Sequence, residues 1–126
     1  MTGPDIELVG VDDERLRRAA AAALAAAGVG EGHIAVELVD ATRIQLLNRH
    51  HRDRDRPTDV LSFPVDGADR TPGPRELGDV VICPEHAADL EEAVVHGVLH
   101  LCGYDHESDA GEMLALQDRV LAALGR

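Results

Sequence analysis

The alternation of short apolar runs with longer amphipathic segments predicts an α+β fold. We expect one compact domain with a small mixed β-sheet of about four strands packed with about four helices. The strand candidates are runs rich in β-branched residues, and between them apolar residues recur every three or four positions. At 126 residues the chain has a common single-domain size, so residues 1–126 are expected to form one unit.

The first three elements are predicted to be a strand, a helix and a second strand. The apolar run 6–9 predicts the first strand. Asp12 or Asp13 can cap the helix that follows, because a short carboxylate accepts hydrogen bonds from free N–H groups of the first turn. Gly28 ends this helix. Residues 33–39 alternate between apolar and polar side chains, which predicts the second strand.

A second helix and a third strand are predicted next. Asp40 can cap the helix, and Pro57 stops it, because proline lacks the N–H that a helix interior needs. Residues 60–63 predict the strand, which Pro64 closes. The stretch 66–74 contains several glycines and prolines and predicts a surface loop.

The last three elements are predicted to be a strand and two helices. Residues 79–83 contain a continuous run of β-branched side chains, which predicts a strand in a central position, covered on at least one face. Pro84 suits the first turn of a long amphipathic helix, which continues until Gly103 permits a left-handed terminus. A final helix is expected to open at Ser108 or Asp109.

The charge distribution separates a basic segment from an acidic one. The formal net charge of -12 argues against a protein that simply coats nucleic acid, because phosphate binding relies on basic side chains. Residues 43–56 nevertheless contain five arginines, whereas residues 76–118 contain eleven acidic residues and no basic one. All cations are arginines, whose planar guanidinium can grip two phosphate oxygens. One face is therefore expected to attract phosphate.

The cysteines and the apolar stretches indicate an intracellular protein. Cys83 and Cys102 lack CxxC spacing, so we expect unpaired thiols, neither disulfide-bonded nor bound to zinc. The most apolar stretch, 19–27, is too short to span a bilayer, and no secretory leader pattern precedes it. We therefore expect a cytoplasmic protein with no membrane partner.

Three histidines near the C-terminal end are spaced as metal ligands. His96 and His100 lie four residues apart in the predicted long helix, so both imidazoles project from one face. Gly103 breaks the helix, and the turn after it lets His106 approach the same point. Zinc suits imidazole nitrogen, and three protein ligands leave a fourth position for water, as in catalytic sites. The spacing predicts a catalytic site with one zinc ion per chain.

The same three histidines are compatible with two other functions. The spacing matches the HExxHxxGxxH pattern of metzincin proteases, so a zinc peptidase is the first alternative. Gly97 stands where those proteases carry the glutamate that acts as general base, which disfavours peptide hydrolysis. A closed structural site would need a fourth ligand, and Cys102 is expected to point to another face of the helix than His100. A metal-stabilised RNA- or ribosome-binding module with little turnover is the second alternative.

The segment 96–106, HGVLHLCGYDH, resembles the signature of the YbeY family of bacterial rRNA-maturation endoribonucleases. RDRDRPTDVLSF at 52–63 and LGDVVI at 77–82 resemble two further blocks of that family in the same order. The likeness extends from about residue 46 to the C-terminus. Position 53, usually small in the family, is Asp53 here. Residues 83–95 suffice for one helix, where the family usually has two helices joined by a loop.

The resemblance implies a zinc-dependent, single-strand-specific endoribonuclease that hydrolyses phosphodiester bonds. Its role would be in small-subunit rRNA 3′-end maturation and in ribosome quality control. The expected partners are single-stranded RNA, rRNA and the small ribosomal subunit, with no DNA and no membrane. The implied site residues are one catalytic arginine, Arg52, and three zinc ligands, His96, His100 and His106.

Three neighbouring polar residues have two possible roles each. Asp105 is expected either to orient an imidazole or to cap the turn after Gly103. Thr58 and Ser62 are expected either to contact a backbone phosphate or to mark the ends of a strand.

Arg52 is expected to stabilise negative charge that develops on the phosphate during cleavage.

Overall fold

The computed structural model describes residues 3–65 and 75–126, which contain four strands and four helices. The predicted α+β class is therefore confirmed, whereas the loop predicted at 66–74 lies outside the described residues. The strands are β1 Asp5–Val9, β2 His33–Leu38, β3 Val60–Pro64 and β4 Glu76–Ile82. The helices are α1 Glu14–Ala26, α2 Ala41–Arg52, α3 Leu90–Leu101 and α4 Glu112–Ala123.

The strands form one mixed sheet in the order β1-β2-β4-β3. β1, β2 and β4 run parallel, and β3 is antiparallel to β4. Parallel neighbours need a crossover, which α1 provides between β1 and β2. The strand predicted to be central, β4, is internal: Val80 pairs with Val36 on one side and with Ser62 on the other.

Each face of the sheet packs against different helices. Successive side chains of β4 alternate between the faces, so Val80 and Ile82 point one way and Val81 the other. Val80 and Ile82 belong to the main core beneath α1, α3 and α4. Val81 belongs to a smaller core beneath α2, which includes Ile44 and Leu61. Helix α3 therefore packs on one face of the sheet, against β3 and β4, and also contacts α1 and α4.

Aspartates cap the first three helices, two of them where the sequence predicts a cap. The Asp13 and Asp40 side chains accept hydrogen bonds from N–H groups in the first turns of α1 and α2. α3 begins later than predicted, because Pro84 lies in a turn before the helix. The helix starts at Leu90, where the carboxylate of Asp89 accepts the N–H of the first turn.

Two further helix ends differ from the prediction. α4 begins after Gly111, whose φ of 103° is not helical, and not at Ser108 or Asp109. Asp109 instead accepts hydrogen bonds from the N–H groups of Gly111 and Met113. α2 ends well before Pro57, because the next residue, Asp53, adopts a left-handed conformation with φ 57°.

Within residues 3–65 and 75–126, no helix combines the length and apolar character that a bilayer crossing requires.

Candidate metal centre and substrate cleft

The three predicted metal ligands come together at the C-terminal end of α3. The ring centroids of His96 and His100 are 4.7 Å apart, and the centroid of His106 lies 5.0 Å and 5.1 Å from them. One nitrogen from each ring can be chosen so that all three lie within 4.8 Å of one another. All three residues are half-buried.

The turn after α3 brings His106 back to the helix. Gly103 has φ 98°, a left-handed conformation that an L side chain rarely adopts, and the N–H of Tyr104 bonds to the carbonyl of Leu99. Asp105 accepts hydrogen bonds from the N–H of Glu107 and the hydroxyl of Ser108, each 3.0 Å long. The bond from the Glu107 N–H and then the bond from Ser108 lower the pKa of Asp105. Of its two expected roles, Asp105 therefore caps the turn.

Two of the imidazoles are oriented through Nδ1. The Nδ1 of His96 lies 2.9 Å from Oε1 of Gln117 on α4, and the Nδ1 of His100 lies 2.9 Å from the carbonyl oxygen of Tyr104. Both partners are oxygens, so each ring donates from Nδ1–H and keeps its lone pair on Nε2. A neutral ring in that tautomer is ready to bind a metal ion through Nε2.

The surroundings of His100 and His106 fit a metal ion. Burial, and then the neighbouring His96, lower the pKa of His100, which favours the neutral imidazole that a metal requires. The Nδ1 of His106 is buried and has no hydrogen-bond partner among the described residues. Three neutral imidazoles are a donor set that suits zinc, and three protein ligands are typical of its catalytic sites.

A cleft of about 600 Å³ opens beside the three histidines. Arg52, at the end of α2, lines the same cleft, whereas Arg54 and Arg56 do not. The charged side chains of the lining are Arg52 and three carboxylates, Asp59, Asp105 and Glu107. Among the described residues of the lining, one guanidinium therefore shares the cleft with the three histidines and with three carboxylates.

Asn48 holds the segment that follows Arg52. Its side chain is 3% exposed, and its Nδ2 donates a hydrogen bond of 2.9 Å to the carbonyl of Arg56. Its own backbone carbonyl accepts the N–H groups of Asp53 and Arg54. These bonds fold the chain back at the end of α2, at the rim of the cleft. The sequence reasoning missed Asn48, although an amide on the face that carries Ile44 was a readable signal.

Thr58 and Ser62 also line the cleft, but both hydroxyls have partners within the protein. Thr58 donates to the carboxylate of Asp59 over 3.3 Å, and Ser62 donates to the carbonyl of Gly97 over 2.8 Å. Of the two roles expected for them, these contacts favour the structural one.

Gly97 is the point of closest approach between α3 and the sheet. A Cβ built at this position would lie 2.5 Å from Cγ1 of Val80 and 3.1 Å from Cγ2 of Val60. Such separations are shorter than van der Waals contact, so no side chain fits without movement of the helix. The position that carries the catalytic glutamate in metzincin proteases is therefore filled by the sheet.

Neither cysteine takes part in the histidine cluster. Both are free thiols; Cys83 is buried in the smaller core and Cys102 packs against the main core. Burial raises the pKa of Cys102 to about 11, so its thiol stays protonated. The thiolate, and not the thiol, is the form that binds zinc. The expectation of two unpaired thiols is confirmed.

The chain is similar to a family of known proteins over nearly its whole length. The family model described as endoribonuclease YbeY matches residues 7–125. The endoribonuclease YbeY of Azorhizobium caulinodans is 44% identical over 124 residues, which cover 85% of this chain and 78% of that protein. That of Alkalilimnicola ehrlichii is 46% identical over 128 residues, which cover 86% and 75%.

A solved solution structure of a Thermotoga maritima protein shares the fold. The two chains superpose with a TM-score of 0.58 at 29% sequence identity, over 94% of this chain and 88% of that one. Together, the family match and the identities of the two relatives assign the protein. The chain belongs to the endoribonuclease YbeY family.

Proposed function

We propose that this protein is a zinc-dependent, single-strand-specific endoribonuclease with one zinc ion per chain. Its substrates would be rRNA ends, chiefly the 3′ end of small-subunit rRNA, in ribosome maturation and quality control in the cytoplasm. The observation that carries the proposal is that Arg52 and the three histidines line one cleft. Membership of the family supports RNA as the substrate, and the imidazole donor set supports zinc.

The ligands would be His96, His100 and His106. A zinc ion in such a site supplies a Lewis acid for a phosphoryl oxygen and lowers the pKa of a coordinated water molecule. Arg52 would donate hydrogen bonds to the phosphate oxygens and stabilise the negative charge that grows on them in the transition state. Because its guanidinium is planar, it can contact two oxygens at once and so orient the phosphate.

The charges of the cleft make Arg52 important for substrate entry. Asp59, Asp105 and Glu107 repel a phosphate, and Arg52 is the cation of the described lining that opposes them. A divalent ion at the histidines would supply the remaining positive charge. The RNA backbone is therefore expected to enter along the Arg52 side of the cleft, where Coulomb attraction is strongest.

The size of the cleft supports a single-stranded substrate. A cavity of about 600 Å³ accommodates a short piece of one strand. A duplex is a rigid rod, whereas a single strand can bend its backbone to bring one phosphate to the base of the cleft. The enzyme is therefore expected to discriminate by strandedness more than by base sequence.

The packing of Gly97 argues against the peptidase alternative. Metzincin proteases need a glutamate at this position as general base, and here the side chains of Val80 and Val60 occupy that space. Hydrolysis of a peptide by that mechanism would need a base from another element.

The test is to incubate the metal-replete protein with labelled single-stranded RNA, with the matching duplex and with casein, each beside His100→Ala. We expect cleavage of the single strand alone, and its loss in the variant. Cleavage of casein by the wild type would favour the peptidase. Tight RNA binding without cleavage would favour a metal-stabilised binding module.

A further inference from the structure

The buried face of α4 carries a polar side chain that the core does not require. Gln117 is only 7% exposed and lies between Met113, Leu116 and Val120, all of which belong to the main core. An apolar residue would be the ordinary choice here, because burying an amide costs free energy unless its hydrogen bonds are satisfied. The presence of a glutamine here must therefore be explained by the group that its side chain contacts.

That contact is His96. Oε1 of Gln117 lies 2.9 Å from Nδ1 of the imidazole, across 21 positions of sequence. With its oxygen toward the ring, the amide accepts a hydrogen bond, which favours the tautomer that carries its proton on Nδ1. The lone pair then lies on Nε2, and the bond also restricts rotation of the ring.

His96 differs in this respect from the other two histidines. The Nδ1 of His100 is held by the backbone carbonyl of Tyr104, within its own turn, and the Nδ1 of His106 has no partner among the described residues. The orientation of His96 thus depends on a side chain from another helix. This couples the packing of α4 to the geometry of the metal centre.

We propose that Gln117 is a positioning residue that fixes the tautomer and the ring orientation of His96, and thereby sets the zinc affinity of the site. This inference rests on the function proposed above, since it takes the three histidines as metal ligands. Partners of this kind, which hold a ligating histidine through its second nitrogen, typically account for about 10–100-fold in metal affinity.

Two substitutions separate this role from packing. Gln117→Met keeps the length of the side chain and removes the acceptor. Gln117→Glu keeps an acceptor and strengthens it, but buries a carboxylate. A packing role predicts that Met is tolerated and Glu is harmful. The positioning role predicts that Met weakens zinc binding and that Glu preserves it, independently of how each substitution changes the stability of the zinc-free protein.

The experiment measures the zinc dissociation constant of the full chain by competition with a chromophoric chelator. We expect Gln117→Met to raise it about 10–100-fold, while its zinc-free form unfolds at or above the wild-type temperature. Gln117→Glu should bind zinc at least as tightly as the wild type, although its zinc-free form is less stable. The matched control is Gln45→Met, because Gln45 bonds to Asp55 and not to a histidine.

A second readout does not need the metal. Nitrogen chemical shifts of His96 in the zinc-free protein, at a pH where the ring is neutral, report which nitrogen carries the proton. We expect Nδ1–H in the wild type and in Gln117→Glu, and a mixture in Gln117→Met. Wild-type zinc affinity in the Met variant, or an unchanged tautomer there, would overturn the inference. Failure of the wild type itself to bind zinc would instead remove the proposed metal site, and the tautomer would still decide what Gln117 does.

Discussion

The hydroxyl of Ser62 donates a hydrogen bond of 2.8 Å to the carbonyl oxygen of Gly97. This bond joins β3 to α3 at the residue that follows His96. It is possible because Gly97 has no side chain and the helix backbone approaches the sheet closely. The distance between α3 and the sheet therefore depends on position 97, and so does the depth at which the histidines lie.

A methyl group at this position should be poorly tolerated. Gly97→Ala would place a Cβ 2.5 Å from Val80, so we expect a loss of about 1–3 kcal/mol in the free energy of unfolding. Urea unfolding measures this. Gly30→Ala is the matched control, because nothing lies within 4 Å of its Cβ, and it should be neutral or slightly stabilising. Equal effects of the two substitutions would contradict the packing account.

The hydrogen bond from Asn48 gives a second prediction. Asn48→Ala removes the donor to the carbonyl of Arg56, and we expect it to cost about 1–3 kcal/mol of unfolding free energy. Asn48→Asp keeps the shape but cannot donate from an ionised carboxylate, so it should not rescue the loss. The measurement is chemical denaturation at neutral pH. A fully stable Asp variant would show that shape alone is needed.

Much of the fold could be predicted because the signals are local. The apolar runs gave the strands, and Asp13 and Asp40 are caps that act within one turn. The errors occurred where a stronger local signal lay a few residues away. Pro84 suits the first turn of a helix, but α3 begins only after Asp89, whose side chain caps its first turn. Pro57 ends helices, but Asp53 ended α2 first by adopting a left-handed conformation.

The site was predictable in part, for the same reason. His96 and His100 share a helix, so their common face follows from helical geometry. The contact between His96 and Gln117 joins two helices, and no periodicity within either one indicates it. A glutamine on the otherwise apolar face of α4 was a signal that something polar lies opposite, but it did not say what.

A cluster outside the cleft should make stability depend on pH. His33 on β2 lies 2.7 Å from the carboxylate of Glu76 and 3.0 Å from that of Glu7. The hydrogen bond to Glu76 is the main cause that raises the pKa of His33; the bond to Glu7 and the charges of Glu76 and Asp5 add to it, against burial. The protonated ring is therefore favoured in the folded state.

Because the pKa of His33 is raised in the folded state, its contribution to the free energy of unfolding is largest at low pH. The stabilisation is fully present below the unfolded-state pKa of about 6.5 and is lost as the pH rises through the higher folded-state pKa. We expect the difference in unfolding free energy between wild type and His33→Gln to shrink over that range. Because these side chains are partly exposed, each pair should contribute under about 1 kcal/mol. If the difference in unfolding free energy between wild type and His33→Gln grew with pH, the raised pKa of His33 would be contradicted.

Arg52 should separate substrate chemistry from metal binding. We expect Arg52→Ala to fold and keep its zinc, but to lose about 3 kcal/mol of transition-state stabilisation, or roughly two orders of magnitude in rate. Arg52→Lys should rescue it only partly, because a point charge lacks the planar fork. Single-turnover cleavage of labelled single-stranded RNA at saturating enzyme measures the effect.

The neighbouring arginines are the controls for Arg52. Arg54 and Arg56 do not line the cleft, so their alanine variants should mainly weaken RNA binding and flatten its salt dependence. Their saturated rates should stay near the wild-type value. If Arg52→Ala cleaved at the wild-type saturated rate, Arg52, Arg54 and Arg56 would be no more than a charged surface.

The three histidines are proposed to hold the zinc on which RNA cleavage depends, and a stepwise zinc titration tests this dependence. Chelator-stripped protein is reloaded in steps, and zinc content and single-strand cleavage are measured on the same samples. We expect the rate to rise with occupancy and to level off at one zinc per chain. Cys102→Ser should follow the wild type, whereas His96→Ala, His100→Ala and His106→Ala should take up little zinc and stay inactive. Full zinc occupancy in all three histidine variants, or cleavage by the stripped protein, would contradict the account.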